Sequence, residues 1–242
     1  MSRVRKCYLE EKRVKTFEIG KDTFLNFENI IVIERPSNAD ICYVDADVGE
    51  DAPTEIIILF EIDKKIRYVY NITAYNLTDK QQKKLFRWVV LQVKANFIGI
   101  DTTDQLGRAI YRDLEEFIPK EHLAWVGFNE KITVDYEKNE NGDTIFKSGK
   151  PIDVDEYVIN WSVKHLRDLL YEQKMEIPLN YKFDSQFNSI LAKQLTTKIT
   201  YECALADDHL FQAFQVFSIT HWLKEFAMIK PVREKNFFKS GV

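Results

Sequence analysis

The chain has 242 residues and a net charge of −4, with 45% hydrophobic and 13% aromatic residues but only 8 glycines and 6 prolines. That composition excludes a disordered or fibrous chain and is ample for a large buried core. Cys7, Cys42 and Cys203 are too scattered for a disulfide framework or a zinc site, and neither a secretory leader nor a run of about 18 apolar residues occurs. A soluble protein of the reducing cytosol, with no membrane partner, is therefore expected.

Charge is unevenly spread. Arg3, Arg5, Lys6, Lys12, Arg13 and Lys15 crowd the start, and Lys224, Lys230, Arg233, Lys235 and Lys239 the end, so the middle is acidic. Basic groups along a phosphate path around metal-binding carboxylates produce this pattern, and so does an ordinary solvated surface.

Residues 1–36 read as short strands or an arm, with alternation in Lys15–Ile19 and an apolar run at Ile30–Ile33. Ala39–Gly49 reads as a buried strand that runs into carboxylates and breaks at glycine. Asp45 and Asp47 lie two apart and share a strand face, where two ionised carboxylates are costly unless a cation sits between them. The β-branched run Glu55–Ile62, the turn Asp63–Lys65 and the segment Ile66–Ile72 complete a three-stranded meander. Thr78 caps a helix whose apolar face is Leu85, Trp88, Val89, Val93 and Phe97, with Lys80, Lys83, Lys84 and Arg87 outside. Phe97–Asp101 is a fourth strand ending in an acid, and Arg108–Phe117 a second helix.

The order β-β-β-α-β-α is that of the ribonuclease H-like α/β core: an antiparallel meander, a crossover helix, and a parallel fourth strand beside the first. Asp45 or Asp47 is thereby expected to meet Asp101, whose other plausible role is to cap the following helix. Further on, Trp125–Phe128 reads as a fifth strand. Ile132–Tyr136 and Thr144–Lys147 flank Asn141-Gly142 as a β-hairpin insertion at about 130–150. Helices are expected over Asp155–Glu172, Asp184–Leu195 and Leu210–Met228, with a strand at Ile199–Ala204. Asp207-Asp208-His209 opens the last helix, where acids also favour the helix dipole. Three regions result: the arm 1–36, a domain over 37–230, and a basic tail over 231–242.

The strand-end acid followed by Gly49, the Gly99–Gly107 loop with Asp101, the hairpin, the Trp161 helix and the Asp207–Ala213 ending appear together and in order. In this the chain resembles, over about residues 38–230, the nuclease domain of the large terminase subunit of tailed phages. The resemblance implies a divalent-metal-dependent endonuclease that cleaves double-stranded DNA during viral genome packaging, in the host cytoplasm. It places the catalytic, metal-binding triad on Asp45, Asp101 and Asp208, with Asp47 and Asp207 as alternates. Two Mg²⁺ or Mn²⁺ ions suit such oxygen ligands and would yield 3′-hydroxyl and 5′-phosphate ends. His209 would orient the site or shuttle a proton, or simply pack in the core. Lys131, Lys138, Lys147 and Lys150 of the hairpin would contact phosphates, unless the hairpin is an inert insertion. Gln212 departs from the acid some members carry, and no G-x-x-x-x-G-K-[ST] loop occurs, so the terminase ATPase would lie on another part or chain. The portal or procapsid is the further partner implied. Three other readings remain: a restriction-type PD-(D/E)xK nuclease using Asp47 with Asp63-Lys64-Lys65, a ribonuclease H-like binding or assembly module without activity, and another ribonuclease H-like enzyme such as a resolvase or transposase.

Overall fold

The computed structural model describes residues 8–9, 14–50, 52–147, 150–151, 153–178, 181–194, 199–204 and 207–229. The basic groups of residues 3–13 and of the tail 231–242 lie outside them. After strand β1 (Lys15–Gly20), strands β2 (Ile41–Asp47), β3 (Thr54–Ile62) and β4 (Lys65–Tyr75) form the expected antiparallel meander. A two-residue turn joins β3 to β4, with Asp63 and Lys64 at φ 52° and 62°, the pair of left-handed backbone conformations whose turn matches the right-handed twist of paired strands.

Helix α1 (Asp79–Val93) begins at a reciprocal cap: the Gln81 backbone N–H donates to Thr78 Oγ1 while Gln81 Oε1 accepts the Thr78 N–H. The helix returns the chain to β5 (Phe97–Asp101), which runs parallel to β2 as expected. Helix α2 (Gln105–Glu115) leads to β6 (Leu123–Val126), parallel to β5. The resulting order β4-β3-β2-β5-β6 is the ribonuclease H-like sheet. At its β4 edge, β1 pairs along Tyr70–Tyr75 and β9 (Met175–Pro178) pairs at Ile66–Arg67, with Tyr8–Leu9 beyond.

Two layers cover this sheet, which is why β3 reads as an unbroken apolar run. Ile56, Ile58 and Phe60 pack with Leu85, Val89 and Ile110 of α1 and α2. Ile57 and Leu59 pack on the other face with Phe214 and Phe217 of α5 (His209–Ile229), which α3 (Val158–Tyr171) flanks. Each fully buried phenylalanine of α5 contributes about 2–3 kcal/mol of hydrophobic stabilisation.

Beyond β6 the structure differs from the sequence expectations. Strand β7 (Lys131–Tyr136) pairs not with Thr144–Lys147 but with β8 (Asp153–Tyr157). The Asn141-Gly142 turn is present, with Gly142 at φ 86°, but closes only the single bridge Lys138–Thr144. Helix α3 therefore starts at Val158 rather than Asp155, because ladder pairing holds the backbone extended to Tyr157. The helix expected over Asp184–Leu195 is instead α4 (Tyr181–Asn188) and strand β10 (Ile190–Gln194), which pairs with β11 (Ile199–Cys203). Pairing overrides the helical propensity of Leu191 and Ala192 there. Lys224 also departs from the reading as part of a basic end: it is buried, its Nζ 2.5 Å from Glu61 Oε2.

Between α3 and α5, His165 Nε2 lies 3.1 Å from His221 Nδ1, and Trp161 stacks on His165. One ring donates to the other, which requires the accepting ring to be neutral. Burial pushes the His165 pKa down to about 4 and that of His221 down to about 3. Below pH about 6.5 the unfolded chain protonates both rings while the folded chain does not, so stability falls as pH drops, by at most about 1.4 kcal/mol per unit for each ring. In urea unfolding, the stability gap between the native chain and a His165→Gln/His221→Gln double variant should narrow between pH 6.5 and 4. Equal pH slopes for the two proteins would refute this assignment.

Candidate active site

Parallel pairing of β2 with β5 fixes the neighbours at their ends. Asp45 is opposite Gly99 and Ala46 opposite Ile100, so the next pair is Asp47 and Asp101. Alternation along β2 sends Cys42, Val44 and Ala46 towards α1 and α2, and Tyr43, Asp45 and Asp47 towards α5.

Asp45 does not reach solvent. It is 0% exposed, and its Oδ1 lies 2.5 Å from Thr220 Oγ1 of α5. Gly99 leaves the room for this contact: a Cβ there would sit 2.2 Å from Thr220 Oγ1 and 2.4 Å from Asp45 Oδ1. Burial holds the Asp45 carboxyl well above the usual range. The Thr220 hydroxyl donates to Asp45 Oδ1 and also lies 3.2 Å from the Val216 carbonyl one turn back, so its single hydrogen is shared between two acceptors.

Asp47 and Asp101, by contrast, line an open cleft of about 460 Å³ together with Gly49, Glu50, Thr103, Asp104, Phe128, His209 and Gln212. Asp47 Oδ2 accepts from His209 Nδ1 at 2.7 Å, and this bond raises the histidine's pKa. Asp101 Oδ1 accepts from the Thr103 backbone N–H at 2.9 Å and from Thr103 Oγ1 at 2.7 Å. Burial pushes the Asp101 pKa up to about 7; the Thr103 bonds oppose this and the neighbouring Asp47 reinforces it. Gly107 lets α2 approach the end of β5, since a Cβ there would lie 1.9 Å from the Asp101 carbonyl oxygen.

The start of α5 supplies the third side of the cleft. Asp208 is half-buried and accepts from Gln212 Nε2 at 2.8 Å, with burial raising its pKa. Gln212, noted as a departure from the family pattern, thus serves as a partner for Asp208. Asp207 is exposed and accepts from Gln186 Nε2 at 3.3 Å. Gln186 Oε1 in turn accepts the Phe211 N–H at 2.9 Å, capping α5 from α4.

Sequence reasoning missed Glu55. It is directly across the ladder from Asp47, 0% exposed, and accepts from Asn71 Nδ2 at 2.8 Å and Thr73 Oγ1 at 3.0 Å. Lys182 of α4 forms an ion pair with it. A lone acid heading an isoleucine-rich strand was the available signal.

Other expected residues lie elsewhere. Asp63 and Lys64 occupy the turn at the far end of β3 from Glu55, and Lys65 bonds Glu176 at 3.3 Å, so the restriction-type constellation is not assembled. Lys131 sits over the Tyr157 ring at 5.3 Å, while Lys138 and Lys147 stand on the hairpin. None of these three lines the cleft, and the Lys150 side chain lies outside the described residues. Among the described residues, no helix is long and apolar enough to cross a membrane.

No family profile and no curated protein matches the sequence. Solved structures do match. The large terminase nuclease from thermophilic phage G20c with bound magnesium aligns at a TM-score of 0.53 and 10% identity, over 78% of this chain and 86% of that one. Its cobalt-bound form aligns at 0.53 and 11% identity, with the same coverage. The large terminase of another thermophilic bacteriophage, in complex with ADP, aligns at 0.50 and 12% identity, over 78% of this chain but 40% of that longer one. The chain therefore has the fold of the large-terminase nuclease domain.

Because the Asp45–Thr220 contact fills the space a side chain at Gly99 would take, Gly99→Ala should destabilise the fold by about 2 kcal/mol or more. Asp45→Asn, whose Oδ1 can still accept from Thr220, should cost about 1 kcal/mol or less. Urea unfolding of the two variants checks both values, and the reverse ranking would contradict the packing described.

Proposed function

We propose that this chain is a divalent-metal-dependent endonuclease that cuts double-stranded DNA during viral genome packaging. The observation that carries the reading is the pair Asp47 and Asp101, set side by side at parallel strand ends in an open cleft. Support for the packaging context comes from the fold shared with large-terminase nucleases, and support for metal dependence from the magnesium and cobalt bound by the phage G20c nuclease.

The residues fit such an ion in their chemistry. Two neighbouring carboxylates, one with its pKa pushed up to about 7, are a donor set in want of a hard cation. Among the described residues, no group of three or more acids, histidines or cysteines is arranged to hold a metal as it stands. Asp47 and Asp101 would hold the ion, and Asp208, freed from Gln212, would complete a site for a second. A cation bound there would polarise the scissile phosphoryl group and acidify a water for attack.

The chain's own groups have separate tasks. His209 orients Asp47 through its Nδ1–H, which leaves Nε2 as the nitrogen that can take a proton. Thr103 fixes the rotamer of Asp101, and Gln212 that of Asp208. Asp45 takes the role of a core carboxyl behind the cleft rather than that of a ligand. Asp207 holds the start of α5 through Gln186. Packaging further implies a terminase ATPase and a portal as partners in the host cytoplasm.

Plasmid cleavage tests this reading. Cutting is expected with Mg²⁺ or Mn²⁺ and lost in EDTA. Asp47→Asn, Asp101→Asn and Asp208→Asn should each lower the rate by about 100-fold or more, and Asp45→Asn should leave it within about threefold. Loss of activity in Asp45→Asn with retention in Asp47→Asn would reverse the ligand assignment. Absence of cutting under every condition would favour the inactive binding module.

A further inference from the structure

The cleft is rich in acid at its mouth: Glu50, Asp47, Asp101 and Asp104 face it, with His209 as the only basic side chain among the described lining residues. A polyanion approaching such a rim is repelled unless a fixed cation stands nearby. Arg108 of α2 does not itself line the cleft, but its guanidinium is bonded to the carbonyl of Thr103, which does. The arginine is exposed, and its backbone N–H donates to the carbonyl of Asp104, one turn back at the rim.

Its guanidinium is held in one orientation. Nε donates to the Thr102 carbonyl at 2.9 Å and Nη2 to the Thr103 carbonyl at 3.2 Å, in the loop that carries Asp101. Both partners are neutral, so the bonds fix the side chain without cancelling its charge. They also occupy the side edge of the guanidinium, leaving the Nη1–Nη2 edge open. That edge presents two parallel N–H donors at the spacing of two phosphate oxygens. An arginine with one edge fastened by carbonyls has already lost the rotamer freedom that phosphate binding would otherwise cost.

We infer that Arg108 is a phosphate anchor at the rim of the cleft, gripping a backbone phosphate of duplex DNA beside the one placed over Asp47 and Asp101. The assignment rests on the reading of the cleft as a nuclease site. It shifts the electrostatic grip from the hairpin lysines to the loop that carries a catalytic carboxylate, so that one short segment positions both substrate and site.

The test is fluorescence anisotropy of the full chain with a labelled DNA duplex of about 30 base pairs, in EDTA, between about 50 and 200 mM salt. Arg108→Gln should weaken binding about 3- to 10-fold and reduce the slope of log affinity against log salt by about one. Arg108→Lys should keep the slope, because the charge remains, yet bind more weakly, because the fork is lost. If Arg108 merely fastens the Thr102–Thr103 loop, both variants melt earlier with affinity and slope unchanged, which overturns the anchor. Should the Gln variant fail to fold, wild-type affinity in the Lys variant overturns it equally. Plasmid cleavage with Mn²⁺ run alongside separates the two readings. Cutting by the native chain with no Arg108 effect on binding removes the anchor and keeps the nuclease. An Arg108-dependent slope without cutting removes the nuclease and keeps the anchor. A native chain that binds no duplex at any salt removes the anchor outright.

Discussion

The repulsion between two carboxylates at neighbouring strand ends is the constraint around which this structure is built. Parallel pairing of β2 with β5 forces Asp47 and Asp101 together, and no rotamer choice separates their backbones. The surroundings divide the load. His209 compensates Asp47, the Thr103 donors hold Asp101, and Lys182 neutralises Glu55 one strand over. Each compensating group comes from a different element: α5, the loop before α2, and α4. The acidic end of the sheet is thus where these otherwise separate segments converge.

The core was legible because its signals are periodic and local. Meander, crossover helix and parallel fourth strand follow from β-branched runs, a capping box at Thr78 and a strand that ends at Asp101. The meeting of a β2 acid with Asp101 followed from that topology alone. Which acid it is did not, because Asp45 and Asp47 share a face and differ only in depth. Depth is set by α5, whose Thr220 covers Asp45 while His209, three turns earlier, stops at Asp47. A contact so distant in sequence leaves no local signature.

The region after β6 was harder to read for a related reason. Asn141-Gly142 is a strong turn signal, but the ladder it was expected to close belongs to β8, and the turn caps a single bridge. Leu191 and Ala192 favour helix by propensity and form strand because β11 offers pairing. Glu55 was read only as the first residue of its strand. Its importance depends on Lys182 and Asn71, which the fold brings in from other elements.

The missing side chain at Gly99 has a mechanical meaning. Thr220 and Asp45 occupy the gap it leaves, and sliding α5 by one turn would put the larger Val216 or the cationic Lys224 against Asp45 instead. The helix is therefore pinned along its axis at a buried point about 16 Å from His209. The cleft's third wall behaves like a bolt seated deep in the core: its position at the surface is set by a notch that solvent never touches.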